Sequence, residues 1–139
     1  MAVSSPYSQY QATQLNTQTP GKLLLMTYDA AIRFTYAAAE NMNAGRLDEQ
    51  SSNIRKAQNI ILELISSLDM DKDRQLAANL YNLYTYMFDR LTHANIRDDL
   101  AALEETLGIL AEMRATWAEA ELSIRTGVPA GGELLRKAA

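Results

Sequence analysis

The feature that most constrains this chain is what its middle lacks. Proline occurs only at positions 6, 20 and 129, and three of the six glycines, Gly127, Gly131 and Gly132, lie near the C-terminal end. From about residue 22 to residue 122 almost nothing interrupts a helix, and no alternating strand pattern occurs. An all-α domain between two segments of different character is the architecture this leaves.

Apolar residues recur at helical spacing in four blocks. The first runs from Thr19 to about Met42: Thr19 can cap it, Pro20 fits the first helical position where its missing N–H costs nothing, and Gly45 supplies the exit. The second, about Asp48 to Leu68, aligns Leu47, Ile54, Ala57, Ile61, Leu64 and Leu68, with Ile65 beside them. The third, about Lys72 to Ala94, continues with Leu76, Leu80, Leu83, Met87, Leu91 and Ala94. The fourth, about Asp98 to Leu122, places Leu100, Leu103, Leu107, Leu110 and Trp117 on one stripe, with Asp98 and Asp99 at its positive end. Helices of this length span roughly 30 Å, and short turns between them dictate antiparallel packing. The expected fold is an up-down-up-down four-helix bundle over residues 19–122, preceded by a flexible N-terminal segment, 1–18, and followed by a disordered tail, 123–139.

Helix 1 is too apolar for one neighbouring layer. After Lys22 its charges are Asp29, Arg33 and Glu40, which at ~100° per residue share one narrow strip. Leucines, Met26, Tyr28, Ile32, Phe34, Tyr36 and alanines occupy the remaining circumference. Helix 3 carries a second stripe, Tyr81, Tyr84 and Phe88, on the shoulder of its core stripe, and helix 2 carries Ala57, Ile60 and Leu64. For any single residue, thickening of the core is a sufficient account. Three helices with such shoulders instead imply a groove for an amphipathic partner helix, in which tyrosine keeps its ring dry and its hydroxyl wet. The first 21 residues contain no Asp, Glu, Lys or Arg but include Tyr7 and Tyr10. Such a strand of chain suits either a cover over an exposed groove or a disordered leader.

Other functions are poorly served. A net charge of -4 with 13 scattered basic residues does not suit nucleic acid. There is no cysteine, no basic and apolar secretory leader, and the apolar run Leu23 to Met26 is far below the ~20 residues of a membrane span. The expectation is a cytoplasmic protein without membrane insertion. "DMDKDR", Asp69 to Arg74, imitates a calcium loop, but Arg74 stands where glycine must turn and Leu80 where a bidentate glutamate belongs. A di-metal bundle needs two Glu-x-x-His motifs, whereas the single histidine, His93, follows Arg90 at that spacing and suits a surface or capping role. No nucleophile elbow or phosphate loop occurs. No catalytic residue, metal or cofactor is expected.

"PYSQYQATQLNTQTPGKLLLMTYDAAIRF", "KAQNIILELISSLD", "LYNLYTYMFDRLTHANIRDD" and "EMRATWAEA" resemble, in order and spacing, the flagellar secretion chaperone family FliS, the flagellin chaperones. The resemblance covers roughly residues 6 to 121. It implies a cytoplasmic bundle that binds the disordered C-terminal segment of flagellin, prevents premature assembly, and keeps flagellin competent for the flagellar type III export apparatus. It further implies that the bound segment folds into helices around the chaperone, and that the N-terminal region covers part of that site when empty. The carry-over falls on Tyr7 and Tyr10 as the cover, and on Lys56, Ala57, Ile60, Ile61, Tyr84, Tyr86 and Met87 as matched positions. Thr85 departs from a frequent Asp, Asp98 from a common Asn, and "DRQLAANL" lacks glycines frequent before helix 3.

Together these readings nominate Tyr7, Tyr10, Lys56, Ala57, Ile60, Leu64, Tyr81, Tyr84 and Phe88 as partner-binding residues. The rival reading is a self-associating structural bundle, an obligate homodimer adaptor, and a homodimer of the free chain fits either account.

Overall fold

A computed structural model describes residues 19–127, which form four helices: α1 (Pro20–Asn43), α2 (Leu47–Ser66), α3 (Arg74–Arg97) and α4 (Leu100–Thr126). Their ends follow from local chemistry. Thr19 caps α1 by accepting a hydrogen bond from the Lys22 N–H at 3.1 Å, with Pro20 following as expected. Gly45, at φ 72°, turns the chain into α2 in the left-handed region that only glycine enters freely. Asp73 caps α3 by accepting from the Leu76 N–H, so the acidic turn before it is a helix start. Asp99 caps α4 in the same way through the Ala102 N–H.

Side-chain links between helix ends fix the antiparallel order. Thr19 at the start of α1 donates to Glu121 near the end of α4 at 2.9 Å, and Asn53 in α2 donates to Asn41 at the end of α1 at 2.7 Å. Gln58 of α2 donates to the Phe88 carbonyl and the Thr92 hydroxyl of α3. Arg114 of α4 donates to both carboxylate oxygens of Asp29 in α1, at 2.9 and 3.3 Å. Each helix packs against its two sequence neighbours around a square, α4 closing on α1, with α1 opposite α3 and α2 opposite α4.

The core is a single cluster built from Ile54, Ile61, Leu64, Met87, Leu91, Leu103, Leu110 and Met113, together with Tyr28, Tyr84 and small residues. The face that α1 buries is mostly small, Ala31, Thr35, Ala38 and Ala39, which allows close approach of α2 and α4. Thr35 and Thr106 are fully buried because each hydroxyl donates to the carbonyl four residues earlier.

Several details differ from the sequence reading. Leu47 is exposed at the first position of α2, before that helix reaches its neighbours. In α4 the buried positions are Ala102, Leu103, Thr106, Leu110 and Met113, so Leu107 falls beside the stripe and is half-buried. Thr106, satisfied by its own helix, takes the place a leucine was expected to fill. Asp98 belongs to no helix start: at φ 51° it is the left-handed cap of α3, and its carboxylate accepts from the buried Gln50 amide at 2.9 Å. Finally, α4 continues through Ser123–Thr126, four residues into the stretch expected to be tail. No breaker precedes Gly127, and Arg125 favours the negative end of the helix.

Candidate functional site

Hollows lined by apolar side chains open on both flanks of the C-terminal half of α2, while other exposed apolar residues, among them Tyr36, Ile96 and Ile124, line neither. On the α3 side, Ile65 and Leu68 of α2 and its exit face Ala78, Tyr81 and Asn82 of α3 across a hollow of about 400 Å³, roofed by Met70 from the connecting turn. Met70 and Tyr81 are each about half exposed, and so is Leu62, which lies on the same flank of α2 one turn earlier. On the α1 side, Pro20, Leu23, Leu24 and Thr27 face Glu63 and Leu64 across a second hollow of about 390 Å³. α2 is therefore a ridge between two grooves, each wide enough for apolar side chains of a partner helix.

A third cavity, about 220 Å³, opens at the end of the bundle beneath the turn that joins α2 to α3. Leu24, Leu76 and Leu80 line it with Tyr84 and Trp117, and Asp69, Lys72 and Asp73 form its rim. At its base the Tyr28 and Tyr84 hydroxyls are hydrogen-bonded to each other. Burial pushes both phenols above the usual tyrosine range, and for Tyr28 the neighbouring Tyr84 adds to the effect. The Trp117 indole N–H lies near enough to the Tyr28 hydroxyl to weigh on its ionisation, yet it makes no hydrogen bond.

The opposite face, between α3 and α4, is polar. Glu105 accepts from the Tyr86 hydroxyl at 2.7 Å and from Arg90 at 2.8 Å. The Tyr86 hydrogen bond, with Arg90 second, holds the Glu105 carboxyl below its ordinary value, and the same bond raises the Tyr86 phenol. His93 lies 3.1 Å from the capping carboxylate of Asp99. Among the described residues no group of three or more His, Cys, Asp or Glu side chains is arranged to hold a metal, and no helix is long and apolar enough to cross a membrane.

The nominated residues separate by position. Ala57, Leu64 and Tyr84 are core residues in this structure, at 0%, 3% and 2% exposure, and offer a partner almost no surface. Ala57 and Leu64 are covered because α1 and α3 flank α2 on both sides, and Tyr84 of α3 because its side chain turns into the core toward Tyr28. Lys56 is exposed and Ile60 half-buried; the Lys56 ammonium stands 5.6 Å from the centre of the Phe34 ring of α1. Tyr81 is exposed and Phe88 half-buried against the core, both on the flank of α3 that carries Thr85 and Thr92. The structure thus assigns Lys56 and Ile60 to one side of α2, and Tyr81 and Phe88 to the other. Tyr7 and Tyr10 lie outside the described residues.

Leu62 and Met70 were missed as surface residues by the sequence reading, whereas the leucines of α1 and Met26 were already counted in the apolar circumference that one layer leaves uncovered. Both missed residues were signalled: Met70 is an apolar side chain inside an acidic turn, and Leu62 breaks the polar flank of α2 between Gln58 and Glu63.

Four antiparallel helices around one core define the class: an all-α four-helix bundle, here with apolar hollows on both sides of one helix. The comparison with known sequences gives the class a family. The profile of the family described as Flagellar protein FliS matches residues 3–123. The flagellar secretion chaperone FliS of Bacillus subtilis is 37% identical over 125 residues, covering 90% of this chain and 92% of the relative. That of Salmonella typhimurium is 35% identical over 100 residues, 71% of this chain and 74% of the relative, and that of Vibrio cholerae is 30% identical over 105 residues, 76% and 77%. This chain belongs to the FliS family of flagellar secretion chaperones.

Proposed function

We propose that this protein is a cytoplasmic, non-enzymatic chaperone that binds the C-terminal segment of flagellin in the grooves flanking α2, prevents its premature polymerisation, and presents it to the flagellar export apparatus. The observation that carries the reading is the pair of apolar hollows on either side of one ridge, with Met70 and Tyr81 half exposed in one, Leu62 on the same flank, and Leu23 exposed in the other. Singly exposed apolar residues need no explanation, but a contiguous set over two hollows does.

Two grooves meeting around one helix suit a segment that wraps rather than a globular partner. Each turn of an amphipathic helix lays its apolar side chains into a groove and leaves its polar face in water. Coupled folding of this kind buries on the order of 1,000 to 3,000 Å² and loses ~2 to 5 kcal/mol to ordering, so binding stays reversible. In the free chain, residues 1–18 with Tyr7 and Tyr10 cover the α1 side of the site, since they join α1 at Thr19 beside Pro20 and Leu23. The apolar character of the grooves predicts a complex that moderate salt leaves largely intact.

Calorimetric titration with a peptide of the C-terminal segment of the same organism's flagellin, combined with circular dichroism, tests this. One-to-one binding with a negative heat-capacity change and a gain in helix supports the proposal. A mass that stays dimeric, with no heat on adding the peptide, supports the self-associating adaptor instead.

A further inference from the structure

We propose that the cavity at the end of the bundle is a docking site for this chain's own residues 128–139, with Leu134 and Leu135 filling it and Arg136 and Lys137 facing its acidic rim. The inference is independent of the flagellin reading, because it concerns the free chain.

The exit of α4 starts the argument. Gly127, at φ 77°, ends the helix in a left-handed cap, its N–H donating to the Ser123 carbonyl at 2.7 Å. Such a cap turns the chain away from the helix axis. Thr19, hydrogen-bonded to Glu121, shows that this exit lies at the cavity's end of the bundle. From Trp117 in the cavity wall to Gly127 is about 15 Å of helix. The chain from Gly127 to Leu134 can reach up to about 23 Å when extended, enough to return with slack. Pro129, Gly131 and Gly132 in that stretch admit the turn.

Chemical complementarity chooses the occupant. The cavity is apolar within, from Leu24, Leu76 and Leu80, with the Trp117 ring in its wall. The rim comes from a turn carrying Asp69, Asp71 and Asp73 against Lys72 and the first helical residue, Arg74. Residues 1–18 carry no Lys or Arg to meet it, whereas in residues 128–139 Arg136 and Lys137 directly follow the two leucines, the one acid there, Glu133, lying on the other side of them.

The sequence makes the test clean, since Trp117 is the sole tryptophan and there is no cysteine. A nitroxide on the full-length Ala139→Cys variant quenches Trp117 emission only at short range. The expected result is quenching that is lost when Leu134→Asp and Leu135→Asp are added, with the helical circular dichroism unchanged, and weakened by Arg136→Glu with Lys137→Glu. Emission indifferent to the label, or quenching that survives the two aspartates, overturns the proposal. So does quenching by a label on Ser8→Cys in place of one on Ala139→Cys, which assigns the cavity to the N-terminal segment. No flagellin is present in the experiment, so its failure leaves the chaperone reading standing.

Discussion

The hydroxyls of Tyr28 and Tyr84 meet in a hydrogen bond across the centre of the bundle, joining α1 to α3, two helices that share no packed face. Both rings are buried, so each hydroxyl depends on the other for its partner. The pair sits at the base of the end cavity and gives the square of helices a diagonal tie.

Tyr28→Phe leaves the Tyr84 hydroxyl buried and unpaired, at a cost of about 1 to 3 kcal/mol in urea denaturation. Tyr28→Phe combined with Tyr84→Phe removes both polar groups, and its cost is less than the sum of the two single variants. Strict additivity would show that the hydroxyls do not act as a pair.

The α4 register makes a sharper prediction about two leucines three residues apart. Leu110 is fully buried, and Leu110→Ala should cost roughly 2 to 5 kcal/mol. Leu107 lies beside the buried stripe, and Leu107→Ala should cost under about 1.5 kcal/mol. Equal losses by thermal or chemical unfolding would contradict this register.

Glu105 links α3 to α4, and its carboxyl is held below the ordinary value first by Tyr86 and then by Arg90. A depressed folded value means that the link is fully present above the ordinary carboxylate range and is lost as pH falls through the folded value. Tyr86 runs the other way: its raised phenol keeps its contribution below the ordinary tyrosine range and loses it as pH rises through the folded value. Melting temperature against pH should therefore show an acid-side decline that Glu105→Gln reduces. An identical decline in the variant would assign the acid sensitivity to other carboxylates.

How far the sequence could be read is clear from these same residues. Thr19, Pro20 and Gly45 announced the ends of α1 because capping and turn chemistry are local. Ile54, Ile61, Met87 and Leu91 announced the core because their spacing is helical. Tyr84 was assigned to a shoulder stripe, and Leu64 to a shoulder as well as to the core spacing, since spacing gives a residue's angle on its helix but not how far the neighbouring helices wrap around it. Leu107 and Thr106 exchanged roles because a threonine bonded to its own helix is indistinguishable in sequence from an exposed one. The two hollows beside α2 are products of interhelical distance, which no single-helix pattern encodes.

Groove and core now predict opposite behaviour for neighbouring residues. Leu62→Glu with Tyr81→Glu should leave stability within about 0.5 kcal/mol per site, as for other exposed positions, while weakening the flagellin peptide at least tenfold. Leu64→Ala, two residues from Leu62 but buried, should lower stability by about 2 to 5 kcal/mol. Unaltered peptide affinity in the double glutamate variant would remove the α3 side of the ridge from the site.

The most direct measurement is a methyl-resolved magnetic resonance footprint of the isotope-labelled chain, with and without the flagellin C-terminal peptide. The account predicts that the largest shifts fall on Leu23, Leu62, Ile65 and Met70, the side chains around the two grooves. Shifts concentrated instead on Ile96, Leu107 and Ile109, away from the α2 ridge, with those groove methyls unmoved, would contradict it.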